Sequence, residues 1–197
     1  EGVPRISAGL TTILTRDSRD NPEFPTTGSV NRYSLEVAGG PFFGDDQYHK
    51  HTFSSEFYTP VLGTLVLYTD TEMGVIGQLT NSPQAVPYIE QFFMGGAGLS
   101  LGIPLRGYDE RTVGPQSGPY AEGGKVMFKQ SLELRLPIIN NPMIFVLGFA
   151  EAGNVWRNLE TTDPYDLRRS VGLGARIYMP MIGLIGLDYG FGLDYYD

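Results

Sequence analysis

Period-two alternation of apolar and polar residues runs through most of this 197-residue chain, and few folds tolerate it. No segment carries a sustained 3.6-residue period, so the ordered segments read as strands rather than helices. From Lys125 to Leu136 the residues Lys125, Met127, Lys129, Ser131, Glu133 and Arg135 share one face. Val126, Phe128, Leu132, Leu134 and Leu136 share the other, with Gln130 as the exception. The split recurs at Arg168 to Met179, where Arg168, Ser170, Gly172, Gly174, Arg176 and Tyr178 oppose Val171, Leu173, Ala175, Ile177 and Met179. In the last segment Gly186, Asp188, Gly190 and Gly192 oppose Ile185, Leu187, Tyr189, Phe191 and Leu193. Weaker alternation marks Arg5–Thr15, Val30–Ala38, Lys50–Thr59 and Thr64–Ile76. Met143–Val155 is apolar on both faces in its first half, so its register rests on Glu151 alone. All eight segments are expected to be strands.

The connections alternate as regularly as the residues do. Asp20–Gly28, Thr59–Gly63, Pro137–Pro142 and Met179–Gly183 are compact and rich in Pro, Asn and Gly. Gly39–Tyr48, Gly77–Gly124 and Asn154–Leu167 are longer and more polar. An antiparallel meander whose two ends face different compartments has this pattern, as transmembrane barrels do with short periplasmic turns and long outer loops. Strands of about ten residues suit a tilted bilayer crossing. A soluble sandwich or lipocalin-like ligand-binding barrel also alternates, but its strands average about five or six residues. Glu36, Glu56, Asp70, Glu72, Glu133, Glu151 and Asp188, opposite a Leu/Ile/Tyr face, favour a polar lumen and a lipid-facing exterior. The pattern therefore ranks the membrane barrel above the soluble one.

Composition removes other classes. No run approaches the ~18 apolar residues of a spanning helix. Fourteen Lys and Arg against 22 Asp and Glu give a net charge of −8, so nucleic acid, which needs clustered cations, is not an expected partner. There is no Cys, hence no disulfide framework and no thiolate chemistry. Glu1-Gly2-Val3-Pro4 has neither the basic start nor the apolar run of a secretory signal, so a mature product or a piece of something longer is expected.

Three chemical look-alikes have plainer readings. Gly98-Leu99-Ser100-Leu101-Gly102 matches the G-x-S-x-G nucleophile elbow. That elbow needs a following helix and a downstream His, whereas Pro104 intervenes and both His49 and His51 lie upstream. His49-x-His51, with Asp45 and Asp46 nearby, lacks the third and fourth ligands of an ordinary metal site and reads as a polar strand end. The Asp17-Ser18-Arg19-Asp20 cluster reads as a turn held by ion pairs and Asx hydrogen bonds.

The longest connection is where function is expected to lie. It carries Gln91-Phe92-Phe93-Met94-Gly95-Gly96 and then Leu105-Arg106-Gly107-Tyr108-Asp109-Glu110-Arg111-Thr112-Val113-Gly114-Pro115. Loops of this length are functional or disordered, and apolar and aromatic residues around one Arg argue for a folded, buried loop. Gly107 would let the tip turn tightly. A guanidinium in a lumen would need carboxylates, preferably bidentate.

Leu105-Arg106-Gly107-Tyr108 resembles the Arg-Gly-aromatic tip of the sixth extracellular loop in BamA-type outer-membrane assembly factors. Phe93-Met94-Gly95-Gly96 and Thr112-Val113-Gly114-Pro115 resemble its flanks, and Phe24-Pro25-Thr26-Thr27-Gly28 the family's early periplasmic turn. Ser131-Leu132-Glu133-Leu134 and Glu151-Ala152-Gly153-Asn154-Val155-Trp156 resemble the two strands after the loop, so the likeness covers essentially the whole chain. It implies an all-β antiparallel meander of about eight strands, part of a larger transmembrane barrel of about sixteen. It further implies that the loop 77–124 folds into the lumen, where Arg106 meets acids carried over as Glu133 and Glu151. Glu133 lies on the polar face by parity alone; Glu151 replaces the family's Asp and is one methylene longer.

The implied function is that of a non-enzymatic insertase in the bacterial outer membrane, with no catalytic residue, cofactor or metal. Its implied partners are outer-membrane lipid, unfolded β-barrel client proteins and accessory lipoproteins of an assembly complex. The alternative is a translocation pore of the two-partner-secretion kind, separable by the number of POTRA repeats in the full-length gene product. Residues 1–197 are expected to be a C-terminal portion of the barrel without POTRA domains, stopping at Tyr195-Tyr196-Asp197 before the final strand.

Overall fold

The protein is described from a computed structural model covering residues 6–82, 85–98, 102–117, 120–140, 143–179 and 181–194. Leu99, Ser100 and Leu101 of the elbow-like motif, and Tyr195-Tyr196-Asp197, lie outside the described residues.

Alternation and turn chemistry produce one antiparallel sheet. Its strands are β1 (Gly9–Asp17), β2 (Gly28–Ala38), β3 (Tyr48–Leu62), β4 (Leu65–Gln78), β7 (Val126–Asn140), β8 (Met143–Trp156), β9 (Arg168–Met179) and β10 (Gly183–Gly192), paired in that order. A two-stranded ribbon, β5 (Gln116–Ser117) with β6 (Tyr120–Ala121), sits in the connection from β4 to β7. β3 and β7 outrun the sequence expectation because each continues past a proline. The register shifts between Pro60 and Leu62 and between Pro137 and Ile139, and a bulge is a place where a strand accepts a residue without an N–H.

Antiparallel partners share a face, so one row fixes the rest. Glu133 is opposite Tyr68 and Phe149; Ser131 is opposite Asp70 and Glu151; Arg176 is opposite Phe145 and Gly186. These residues, with Asp188, lie on the covered face, against which Val86, Phe92, Met94, Leu105 and Val113 pack. Leu134, Leu173, Leu187 and Tyr189 lie on the bare face, 48%, 71%, 79% and 69% exposed. Gln130, the polar residue out of step, is satisfied there: its amide donates to the Asp70 carbonyl (3.1 Å) and its oxygen accepts from Thr71 Oγ1 (2.7 Å). His49 and His51 share the bare face, with His51 Nε2 at 3.0 Å from His49 Nδ1 and Tyr33 Oη at 2.7 Å from His51 Nδ1. The two imidazoles are occupied with each other and with a phenol.

The register of β8 was the least legible from sequence. Phe145, Leu147 and Phe149 take the covered face with Glu151, and all are buried. Their partner is the turn between β1 and β2. Phe24 at its tip meets Phe145 with ring centroids 4.9 Å apart, and Tyr178 of β9 donates to Glu23 Oε1 at 3.1 Å. Four strand spacings separate β2 from β8, about 19 Å across a flat sheet; the sheet must curl, and the turn must fold over it. Asp20 fixes the turn by accepting from the Thr26 hydroxyl and from the Thr26 and Thr27 amides at 2.9 and 3.1 Å. Those bonds, the Thr26 hydroxyl foremost, hold its carboxyl well below the usual range, at about 2. Asp17 and Arg19 pair alongside at 2.6 Å.

Candidate functional site

The connection between β4 and β7 packs against the sheet by its apolar residues. Met94 and Leu105 are wholly buried and Val113 nearly so, in one cluster with Ile76, Met127 and Val155. Its own backbone is cross-braced: Gly95 N to Ile103 O (3.0 Å), Leu105 N to Gly96 O (3.2 Å) and Val113 N to Met94 O (3.1 Å). The first and last stretches of the loop pair with each other through Phe92 N to Gly124 O, 2.8 Å. The loop is thus a braced plug on the covered face.

Leu105 anchors the tip and delivers Arg106 to the middle of the sheet. The structure places Arg106 against both expected acids. Its backbone N–H donates to Glu151 Oε2 (2.8 Å), Nε to Glu151 Oε1 (2.9 Å), and one terminal nitrogen to Glu151 Oε1 (2.6 Å) and Glu133 Oε1 (2.7 Å). Glu133 and Glu151 are each 5% exposed. The other terminal nitrogen lies 3.6 Å from Asp188, which pairs with Arg176 at 2.7 Å.

The residues beyond Arg106 brace the far strands. Gly107 has φ +91°, and a Cβ there would meet Gly192 N and Phe191 C at 2.7 Å, so the tip lies directly on the backbone of β10. Tyr108 Oη donates to the Arg169 carbonyl (2.7 Å) and accepts from the Asp194 amide (3.1 Å). Arg169 pairs with Asp194 at 2.6 Å and holds that carboxyl at about 2, below its usual range.

Three residues that contact the clamp, Phe149, Ser131 and Arg135, were not singled out from sequence. The Arg106 guanidinium stacks on Phe149, 3.7 Å from its ring centroid. Ser131 Oγ donates to Glu151 Oε1 at 3.1 Å. Arg135 Nε donates to Glu133 Oε2 at 2.8 Å while its guanidinium lies 3.7 Å from the Tyr68 ring centroid. Ser131 and Arg135 were within reach, since each is two residues from Glu133 on the same face. Phe149 was hidden by the apolar run of β8. A cleft of about 630 Å³ opens beside the clamp, lined in part by Asp70, Lys129, Arg176 and Asp188. Chemically the arrangement is a fastening, in which two guanidinium groups and two carboxylates interlock under an aromatic ring.

A family model described as the Omp85 superfamily domain matches residues 4–197. The chain belongs to the Omp85 superfamily. Among Omp85 relatives, an outer membrane protein assembly factor BamA from Nitratidesulfovibrio vulgaris is 32% identical over 96% of the chain and 23% of that protein. A SAM50-like protein of Schizosaccharomyces pombe is 28% identical over 99% of the chain and 46% of that protein. The chain therefore spans less than half the length of these curated relatives. The crystal structure of Haemophilus ducreyi BamA lacking POTRA domains 1–3 superposes with a TM-score of 0.80 at 21% identity, over 95% of the chain and 39% of that structure. The meander is thus the fold of part of a BamA barrel.

Proposed function

We propose that this chain is the C-terminal barrel portion of an outer-membrane insertase that assists folding and membrane insertion of other β-barrel proteins. The observation that carries the proposal is the seated tip: Arg106 fastened to Glu133 and Glu151 in a chain whose relatives are named outer membrane protein assembly factor and SAM50-like protein. The bare Leu/Ile/Tyr face is then the lipid-facing surface, and the covered face lines the lumen around loop 77–124. Assistance of this kind involves no covalent step and no cofactor; unfolded β-barrel clients and accessory lipoproteins of an assembly complex are its partners.

The test is reconstitution of the full-length protein in lipid vesicles, with folding of a denatured outer-membrane barrel followed by its heat-modifiable mobility. Wild-type protein should accelerate folding over empty vesicles, and Arg106→Ala should lose most of that acceleration while remaining folded itself. A wild-type protein that leaves the folding rate of several barrels unchanged would overturn the proposal.

A further inference from the structure

Glu133 is shared between two cations, and only one of them belongs to the loop. Its Oε1 accepts from Arg106 and its Oε2 from Arg135, at 2.7 and 2.8 Å. A buried carboxylate with one oxygen vacant would turn toward the remaining donor, so the second guanidinium fixes the rotamer that Arg106 needs. Arg135 is itself held by rings. Its guanidinium lies 3.7 Å from the Tyr68 centroid, 5.7 Å from Tyr58 and 5.9 Å from Phe145. Phe145 is the ring on which Phe24 of the β1–β2 turn packs, at 4.9 Å. Contacts therefore run unbroken from the loop tip through Glu133 and Arg135 to the turn at the other end of the sheet.

We propose that Arg135 is a positioning residue, which presents Glu133 to Arg106 and makes seating of the loop depend on docking of the Phe24 turn. The charges support it: Arg106 is already divided among Glu133, Glu151 and, at 3.6 Å, Asp188, so without Arg135 the buried Glu133 carboxylate would have only a share of that one guanidinium. The aromatic bed explains the choice of side chain, since a planar guanidinium stacks on Tyr68 while bonding Glu133 edge-on, which an ammonium cannot do. This deepens the insertase reading by assigning a control on the loop, and it rests on that reading only for its biological use.

The experiment reads loop seating directly. The chain has no cysteine, so Val113→Cys, at a buried loop position, reports loop opening through its labelling rate by a membrane-impermeant maleimide in the full-length protein in vesicles. Tyr165→Cys, at a position 94% exposed, gives the rate of a free thiol. When opening is fast, the labelling rate follows the open population. Arg135→Met should raise it by roughly tenfold, Arg135→Lys by less, and Phe24→Ala should raise it although Phe24 touches neither Arg106 nor Glu133. In an Arg106→Ala background, where the rate is already high, Arg135→Met should add nothing, because both act through Glu133. A labelling rate unchanged by Arg135→Met, or effects of positions 106 and 135 that simply multiply, would overturn the assignment. If Arg135→Met does not assemble, Arg135→Lys is read instead, and a wild-type rate there overturns it equally. A loop that responds as stated in a protein that accelerates no client folding would sink the insertase proposal and leave the role of Arg135 standing.

Discussion

Arg106 is gripped by backbone and side chain together, and this decides what can replace it. Its N–H and its guanidinium both bond Glu151, and the same guanidinium reaches Glu133 while lying flat on Phe149. Removing one partner of a buried ion pair costs about 3–5 kcal/mol, mostly from the charge left behind; the charged cleft alongside keeps Arg106→Ala at the lower end. A lysine would keep the charge but could not span two carboxylates and a ring face, so Arg106→Lys should fall between alanine and wild type. The exchange Arg106→Glu with Glu133→Arg is the sharper case. Were the pair isolated, the swap would restore it. Glu151, 2.6 Å from the present guanidinium, would instead face a new carboxylate. Protease resistance of the loop should therefore recover little over Arg106→Glu alone, and near-complete recovery would mean that Glu151 contributes nothing.

At the scale of elements, the turn between β1 and β2 is a small folded unit that carries Phe24 onto Phe145, and Asp20 is its staple. Because the Thr26 hydroxyl and two amides hold the Asp20 pKa down to about 2, against about 3.9 for a free Asp, the carboxylate stabilises the turn above pH 4. That contribution is lost as pH falls through about 2. Amide exchange at Thr26 and Thr27, corrected for its intrinsic pH dependence, should thus lose protection between about pH 4 and pH 2, and Asp20→Asn should abolish the pH dependence. Exchange protection flat across that window would remove Asp20 from the role. The staple was legible as a cluster of turn-forming residues, but its cargo was not. Phe24 and the apolar covered face of β8 each look like ordinary hydrophobic residues until they are set against each other across four strands. By contrast Glu133 could be placed from parity, since a strict two-residue period with charges on one face leaves a single choice. Arg135 sat in the same row, yet nothing local marks it as bonding along its own strand and stacking on the next one.

For the whole molecule, the decisive asymmetry is between the two faces of one sheet. The covered face pairs Arg106, Lys129, Arg135 and Arg176 with carboxylates and buries Phe145 and Phe149 under the first turn and the loop tip. The bare face exposes Leu173, Leu187 and Tyr189 by 71%, 79% and 69%, far more contiguous apolar surface than a protein in water ordinarily leaves open. On that face Gln130 has its amide and its oxygen engaged by neighbours, and His49 and His51 are engaged with each other and with Tyr33, as hydrocarbon would require. A sheet with its polar groups turned inward and its leucines outward is stable when its solvent is a bilayer. Leu173, sixth of the twelve residues of β9, lies near mid-strand and so near the midplane. Leu173→Arg should cost about 2–4 kcal/mol in lipid, the range for a cation at midplane depth on a barrel exterior. The same change near a strand end, at Met179, should cost about 0–1 kcal/mol. The full-length protein refolded into vesicles across a denaturant series gives both numbers. Equal costs at positions 173 and 179 would mean that this face meets something other than a bilayer, because only a slab of hydrocarbon penalises charge by depth.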